Sequence, residues 1–146
     1  MVGNLRYLCN TRPDLSYNVG VISRYMQSLR ISHLNAAKRI LRYLKGTHTY
    51  GIPLPRGEPG KEVQITSYSN VDWCGDKCDR KSTAGYVFFL GGAPISWSLT
   101  KELVVALSSC EAEYIDACEA PCQAAWLSSL MKGLKVGLVG KDETTC

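Results

Sequence analysis

Apolar residues in the first third of the chain recur at helical spacing. Leu15, Val19, Ile22, Met26 and Leu29 follow one another at steps of 4, 3, 4 and 3, which predicts a single apolar stripe along a helix. Thr11-Arg12-Pro13-Asp14 reads as its start. Thr11 is a capping residue type, and proline is tolerated in a first turn because its missing N–H would have no helical partner there. Leu34, Ala37, Leu41 and Leu44 predict a second helix, with Ser32 as its cap and Gly46 as its stop. Two stripes joined by a short turn predict an antiparallel helical pair over residues 1–50.

The period then changes. Residues 51–61 hold three prolines and three glycines and read as a linker between domains. From there Val63, Ile65 and Ser67 alternate with Gln64, Thr66 and Tyr68, a strand pattern. Ala84-Gly85-Tyr86-Val87-Phe88-Phe89-Leu90 is rich in strand formers, and Gly91-Gly92 joins it to Ile95-Ser96-Trp97 in an expected hairpin. Residues 103–107 are open between a short strand and a buried approach to a helix. Ser108 with Glu111 forms a capping-box pattern, after which Ile115, Cys118, Cys122 and Ala125 keep helical spacing. Pro121 interrupts this run; an interior proline costs about 3 kcal/mol or more unless the helix kinks or restarts. The organisation expected is α+β: helical residues 1–50, linker 51–61, a sheet with one long helix over 62–134, and a tail over 135–146.

Composition narrows the chemistry. The chain has 146 residues, 45% of them hydrophobic, and a net charge of +4. This is compatible with nucleic acid but equally with basic helix faces turned to water, where Arg24, Arg30, Lys38, Arg39, Arg42 and Lys45 are expected to lie. Seven cysteines occur without zinc-ribbon spacing, and His33 and His48 stand apart from them. No structural metal is expected, and reduced thiols point to intracellular folding. The first residues lack the apolar core of a signal peptide, and no apolar run is long enough to span a bilayer.

Several collinear segments carry a family resemblance. They are Leu5-Arg6-Tyr7-Leu8-Cys9-Asn10-Thr11-Arg12-Pro13-Asp14, Ala36-Ala37-Lys38-Arg39-Ile40-Leu41-Arg42-Tyr43-Leu44-Lys45-Gly46-Thr47, the run from Asp79-Arg80-Lys81-Ser82-Thr83 through Gly92, and Ala106-Leu107-Ser108-Ser109-Cys110-Glu111-Ala112-Glu113-Tyr114. Over about residues 2–134 the chain resembles copia-type (Ty1/copia) retrotransposon polyproteins, where reverse transcriptase ends and ribonuclease H begins. The resemblance implies a helical polymerase terminus, then a truncated ribonuclease H-like antiparallel sheet with one long helix. It implies hydrolysis of RNA in an RNA–DNA hybrid by two Mg²⁺ ions roughly 4 Å apart, held by four carboxylates because Mg²⁺ prefers hard oxygen ligands.

Carried onto this sequence, the family's Ser-Asp-x-Asp-Trp falls on Ser69-Asn70-Val71-Asp72-Trp73, so Asn70 stands where the first-strand carboxylate belongs. The helix carboxylate falls at Glu113, and the last two acids are expected beyond Cys146. Asp72 shares the strand face of Asn70 but lies roughly 6–7 Å along it, too far to replace it. Glu111 is about 200° around the helix from Glu113. The expectation is a chain with no metal, no cofactor and no catalytic residue, in which Asn70 and Glu113 are vestigial.

A second motif is functional in kind. Arg39-Ile40-Leu41-Arg42 matches the R-x-L-R tetrapeptide of oomycete effectors delivered into plant cells, and the chain resembles secreted RxLR effectors of downy mildews. Its alternative explanation is structural: Leu41 is expected in the buried stripe, with Arg39 and Arg42 flanking it in solvent. The resemblance implies a secreted protein that suppresses defence or cell death inside the host cell, with an unidentified host protein as partner. The alternative is a nucleic-acid-binding remnant of a retrotransposon reverse transcriptase/ribonuclease H with no selected function, kept inside the cell. An uncovered sheet edge also predicts self-association.

Overall fold

The fold described is a computed structural model, and it describes residues 1–56 and 63–134. The expected tail over 135–146 and the second half of the expected linker lie outside the described residues. The chain divides into two compact units, Met1–Ile52 and Pro53–Cys146.

The first unit is helical. It contains α1 (Val2–Leu8), a 3-10 turn (Pro13–Leu15), α2 (Ser16–Arg24) and α3 (Ile31–Gly46). Its core joins Val2, Leu5, Leu15, Val19, Ile22, Ala37 and Ile40, with Leu8, Cys9, Ala36 and Leu44 packed around them. The short α1 was not visible in the apolar pattern, because only Val2 and Leu5 of its residues are buried. Thr11 serves this helix rather than the next: its hydroxyl donates to the Leu8 carbonyl at 3.2 Å. α2 ends at Arg24, so Met26 and Leu29 fall beyond it and are exposed.

α3 also departs from the expected stripe. Arg30, not Ser32, stands at its N-cap, where the Arg30 backbone N–H donates to His33 Nδ1 at 3.2 Å. Ala37 and Ile40 are buried, whereas Leu34 and Leu41 are exposed. Two adjacent stripes share Ala37 and Leu44, and spacing alone does not choose between them. The choice is made by what α3 meets, namely the Leu15, Val19 and Ile22 side chains of the same core.

The second unit is an antiparallel meander of β1 (Ile65–Asp72), β2 (Thr83–Leu90) and β3 (Ala93–Lys101), followed by α4 (Ser109–Gly133). The register runs from Ile65 opposite Leu90 to Asp72 opposite Thr83. Gly91 and Gly92 make the β2–β3 turn with φ of 56° and 86°, the left-handed conformations that a tight hairpin requires. The β2–β3 ladder carries an irregularity at Phe88/Phe89. The fold class is α+β.

α4 covers one face of the sheet. Ser69 on β1 hydrogen-bonds Asp116, and Gln123 Nε2 donates to Ser96 Oγ on β3 at 3.1 Å. Phe88, on the same face of the central strand, is fully buried. The helix begins as its capping box predicts: Ser108 Oγ accepts the Glu111 N–H at 3.1 Å. Its inward residues are Ala112, Asp116, Ala120, Leu127 and Met131. The expected stripe is therefore displaced, with Cys118, Cys122 and Ala125 exposed and Ile115 half-buried. Pro121 stands within one continuous helix instead of restarting it. Residues 103–107 are neither strand nor buried approach. Leu103 and Leu107 are exposed, and only Ala106 is buried, its carbonyl accepting the Trp73 indole N–H at 3.2 Å.

Candidate functional site

Strand alternation decides where Asn70 points. Ile65, Ser67, Ser69 and Val71 are half-buried on the side of α4, and Thr66, Tyr68, Asn70 and Asp72 are exposed on the other. Asn70 lies opposite Gly85 of β2. Glu113 stands in the first turns of α4 and is exposed. Among the described residues, no group of three or more His, Cys, Asp or Glu side chains is placed to share a metal ion.

The α4 carboxylate that reaches β1 is Asp116, which the motif reading passed over. It is 4% exposed and bonded to Ser69. Burial pushes its pKa up; the Ser69 hydrogen bond opposes that shift, and the charge of Glu119 adds to it. Glu102 is raised as well, first by burial and then by Glu119 and Asp116. Ala112, Asp116 and Ala120 recur every four residues, but only the packing of α4 on the sheet marks that row as the inward one.

The acids following Asn70 fold the β1–β2 loop. Asp76 is buried, and Lys101 Nζ lies 2.5 Å from Asp76 Oδ2 and 2.7 Å from Asp79 Oδ2. Asp76 Oδ1 accepts the Cys78 N–H at 2.8 Å, and the Asp76 carbonyl accepts the Arg80 N–H at 2.8 Å. Burial works against the Lys101 charge, but the two carboxylates more than offset it and raise its pKa. Lys101 in turn holds Asp79 below the usual carboxylate range.

The tetrapeptide sits in mid-α3. Ile40, its free position, is 7% exposed, while Arg39, Leu41 and Arg42 are all exposed, Leu41 at 42%. The expectation that Leu41 anchors the buried stripe is overturned, because the inward face is the adjacent one through Ile40. All three fixed positions of the motif are thus accessible. Arg39 also borders an open groove of about 410 Å³ with Leu15, Tyr17, Ile22, Ile40 and Tyr43. Lys38 and Lys45 extend the basic surface of the helix.

No family model matches this sequence, and no solved structure matches the chain. Curated relatives do. The retrovirus-related Pol polyprotein from transposon RE1 of Arabidopsis thaliana is 45% identical over 146 residues, covering 100% of this chain and 10% of the polyprotein. The Pol polyprotein from transposon TNT 1-94 of Nicotiana tabacum is 41% identical over 134 residues, 91% of this chain and 10% of its own length. Secreted RxLR effector protein 161 of Plasmopara viticola is 44% identical over 128 residues, 87% of this chain and 88% of that protein. The chain thus spans about a tenth of the polyproteins it matches and nearly all of the effector protein. Collinear identity at this level places both units in one lineage: the chain belongs to the family of copia-type retrotransposon polyprotein sequences.

Proposed function

We propose that this retroelement-derived chain is not a nuclease and acts through its surface as a secreted RxLR-type effector. In this reading it works inside plant host cells, through a host protein, to suppress defence or cell death. The observation that carries the proposal is the exposure of Arg39, Leu41 and Arg42 on α3, with only the unconstrained position Ile40 committed to the core. A recognition motif needs its fixed residues accessible, and a stripe that merely packed the helix would bury Leu41. The likeness to the Plasmopara viticola effector over most of both lengths supports the same reading.

Expression in leaf tissue with scoring of induced cell death tests it. Suppression is expected, and delivery of the secreted form should fail in the Arg39→Ala/Arg42→Ala variant. Absence of suppression, or a variant delivered as well as the parent, defeats the proposal.

The non-catalytic part rests on Asn70. An amide oxygen ligates Mg²⁺ without negative charge, and the nearby acids Asp76 and Asp79 are engaged by Lys101. Purified protein with Mg²⁺ is expected to leave an RNA–DNA hybrid intact; Mg²⁺-dependent cleavage would overturn this part alone. A second reading, a nucleic-acid-binding remnant kept inside the cell, draws on the exposed bases Lys38, Arg39, Arg42 and Lys45 of α3. It requires hybrid affinity that falls steeply with salt.

A further inference from the structure

α4 carries two thiols one turn apart. Cys118 and Cys122 are both exposed and both free. A step of four residues turns a helix by about 40° and leaves the two Cβ atoms about 5–6 Å apart. A disulfide needs about 3.5–4.5 Å between Cβ atoms, so joining this pair directly would distort the helix. The spacing suits one ion held between the sulfurs, because two metal–sulfur bonds of about 2.3 Å span up to roughly 4.6 Å. Trp126 stands one turn further on. It is 56% exposed and lies about 80° around the helix from Cys118, on the same side. Long side chains on a helix lean back over the turn before their own Cα, a direction that takes the Trp126 indole toward Cys122.

We propose that Cys118 and Cys122 form a two-thiolate site for a soft monovalent cation, copper(I), with the face of the Trp126 indole as a third contact. The donor set selects the ion. Among the described residues no third His, Cys, Asp or Glu joins the pair, which leaves four-coordinate Zn²⁺ unsatisfied and gives Mg²⁺ none of its oxygen ligands. Thiolates select soft ions such as copper(I), and an aromatic face attracts a cation. The charges agree. Glu119 stands between the two cysteines, and no Lys or Arg occurs between Lys101 and Lys132. On binding, two S–H bonds give way to two S–Cu bonds, two protons pass to water, and copper stays monovalent. The long contact from Cys118 Sγ to the Tyr114 carbonyl, 3.6 Å, is given up. The site uses neither Asn70 nor Glu113, and the inference does not depend on the effector reading.

Anaerobic titration with copper(I), in competition with the chromophoric chelator ferrozine, tests the proposal. The full-length chain is used with Cys9, Cys74, Cys78, Cys110 and Cys146 replaced by serine. One ion per chain is expected, at a ratio that does not change with protein concentration, with quenching of tryptophan fluorescence that Trp126→Leu abolishes. Cys118→Ser and Cys122→Ser should each weaken binding by more than about tenfold. Cys122→Ser/Ala125→Cys keeps two thiols but sets them about 10.5 Å apart along the helix, and it should bind no better than Cys122→Ser alone. Trp126→Leu should weaken binding about two- to fivefold. Far-ultraviolet circular dichroism shows whether each variant folds. If the five-serine chain does not, the parent chain is titrated instead, and Cys118→Ser and Cys122→Ser should each remove one tightly held ion from it. Absence of protein-bound copper, one ion shared by two chains, or a relocated thiol that binds as tightly as Cys122 overturns the proposal. Unchanged affinity in Trp126→Leu overturns the part given to the indole.

Discussion

The guanidinium of Arg12 grips the carboxylate of Asp14 with two bonds, Nε to Oδ1 at 2.9 Å and Nη2 to Oδ2 at 2.7 Å. The same guanidinium donates to the Thr47 carbonyl at 3.0 Å and the Thr47 hydroxyl at 2.9 Å. Tyr43 adds its hydroxyl to Asp14 Oδ2 at 2.9 Å. These bonds tie the start of α2 to the end of α3 and make the two helices antiparallel. Asp14 is held below the usual carboxylate range by Arg12, with partial burial working against the shift. A depressed folded pKa means the stabilisation is present above the ordinary carboxylate value and is lost as pH falls through the folded value. The unfolding midpoint of the helical unit should therefore drop as pH is lowered below about 4. Asp14→Asn should flatten that dependence, and Arg12→Ala should lower the midpoint at neutral pH. Because Asp14 is partly open to solvent, the effect should be modest. Circular dichroism melts across the acid range check this; identical profiles for parent and Asp14→Asn would refute it.

The tetrapeptide separates into a folding residue and three surface residues. Ile40→Ala should cost about 2–4 kcal/mol, because it empties a core position facing α2. Arg39→Ala and Arg42→Ala should each change stability by no more than about 0.5 kcal/mol. Urea unfolding distinguishes them, and comparable losses at Arg39 and Ile40 would contradict the assignment of faces.

Asp116 should behave in the opposite sense to Asp14. Its folded pKa lies above the unfolded one, so the folded state holds the proton longer, and stability falls as pH rises between those two values. At neutral pH the buried charge is a cost that its single hydroxyl partner only partly meets. Asp116→Asn is expected to raise the melting temperature at pH 7 by a few degrees and to remove that part of the pH dependence. Ser69→Ala should lower it. A less stable Asp116→Asn protein would show that the carboxylate is a net stabiliser.

Pro121 offers a gain in stability. Its nitrogen has no hydrogen to donate toward the Ala117 carbonyl, yet α4 continues through it. Pro121→Ala should restore the bond and stabilise the second unit by about 1–3 kcal/mol, measured as a higher urea midpoint. No change at all would indicate that the carbonyl is already satisfied.

Features that neighbouring residues determine were legible in the sequence. The Gly91-Gly92 hairpin, the Ser108–Glu111 cap and the alternation of β1 all depend on residues a few places apart. The inward face of α3 was not legible, because stripes through Leu41 and through Ile40 have equal spacing and only the partner core selects one. The same holds for α4, where both faces are apolar and the sheet picks Ala112, Asp116 and Ala120. The Asp76–Lys101 pair joins residues 25 positions apart, and the Arg12–Thr47 contact joins residues 35 apart. Local sequence thus determined where the strands, the hairpin turn and the start of α4 fall. Tertiary structure alone decided which side of each element is buried and which acids find a cation, because burial and ion pairing depend on what the rest of the chain brings alongside.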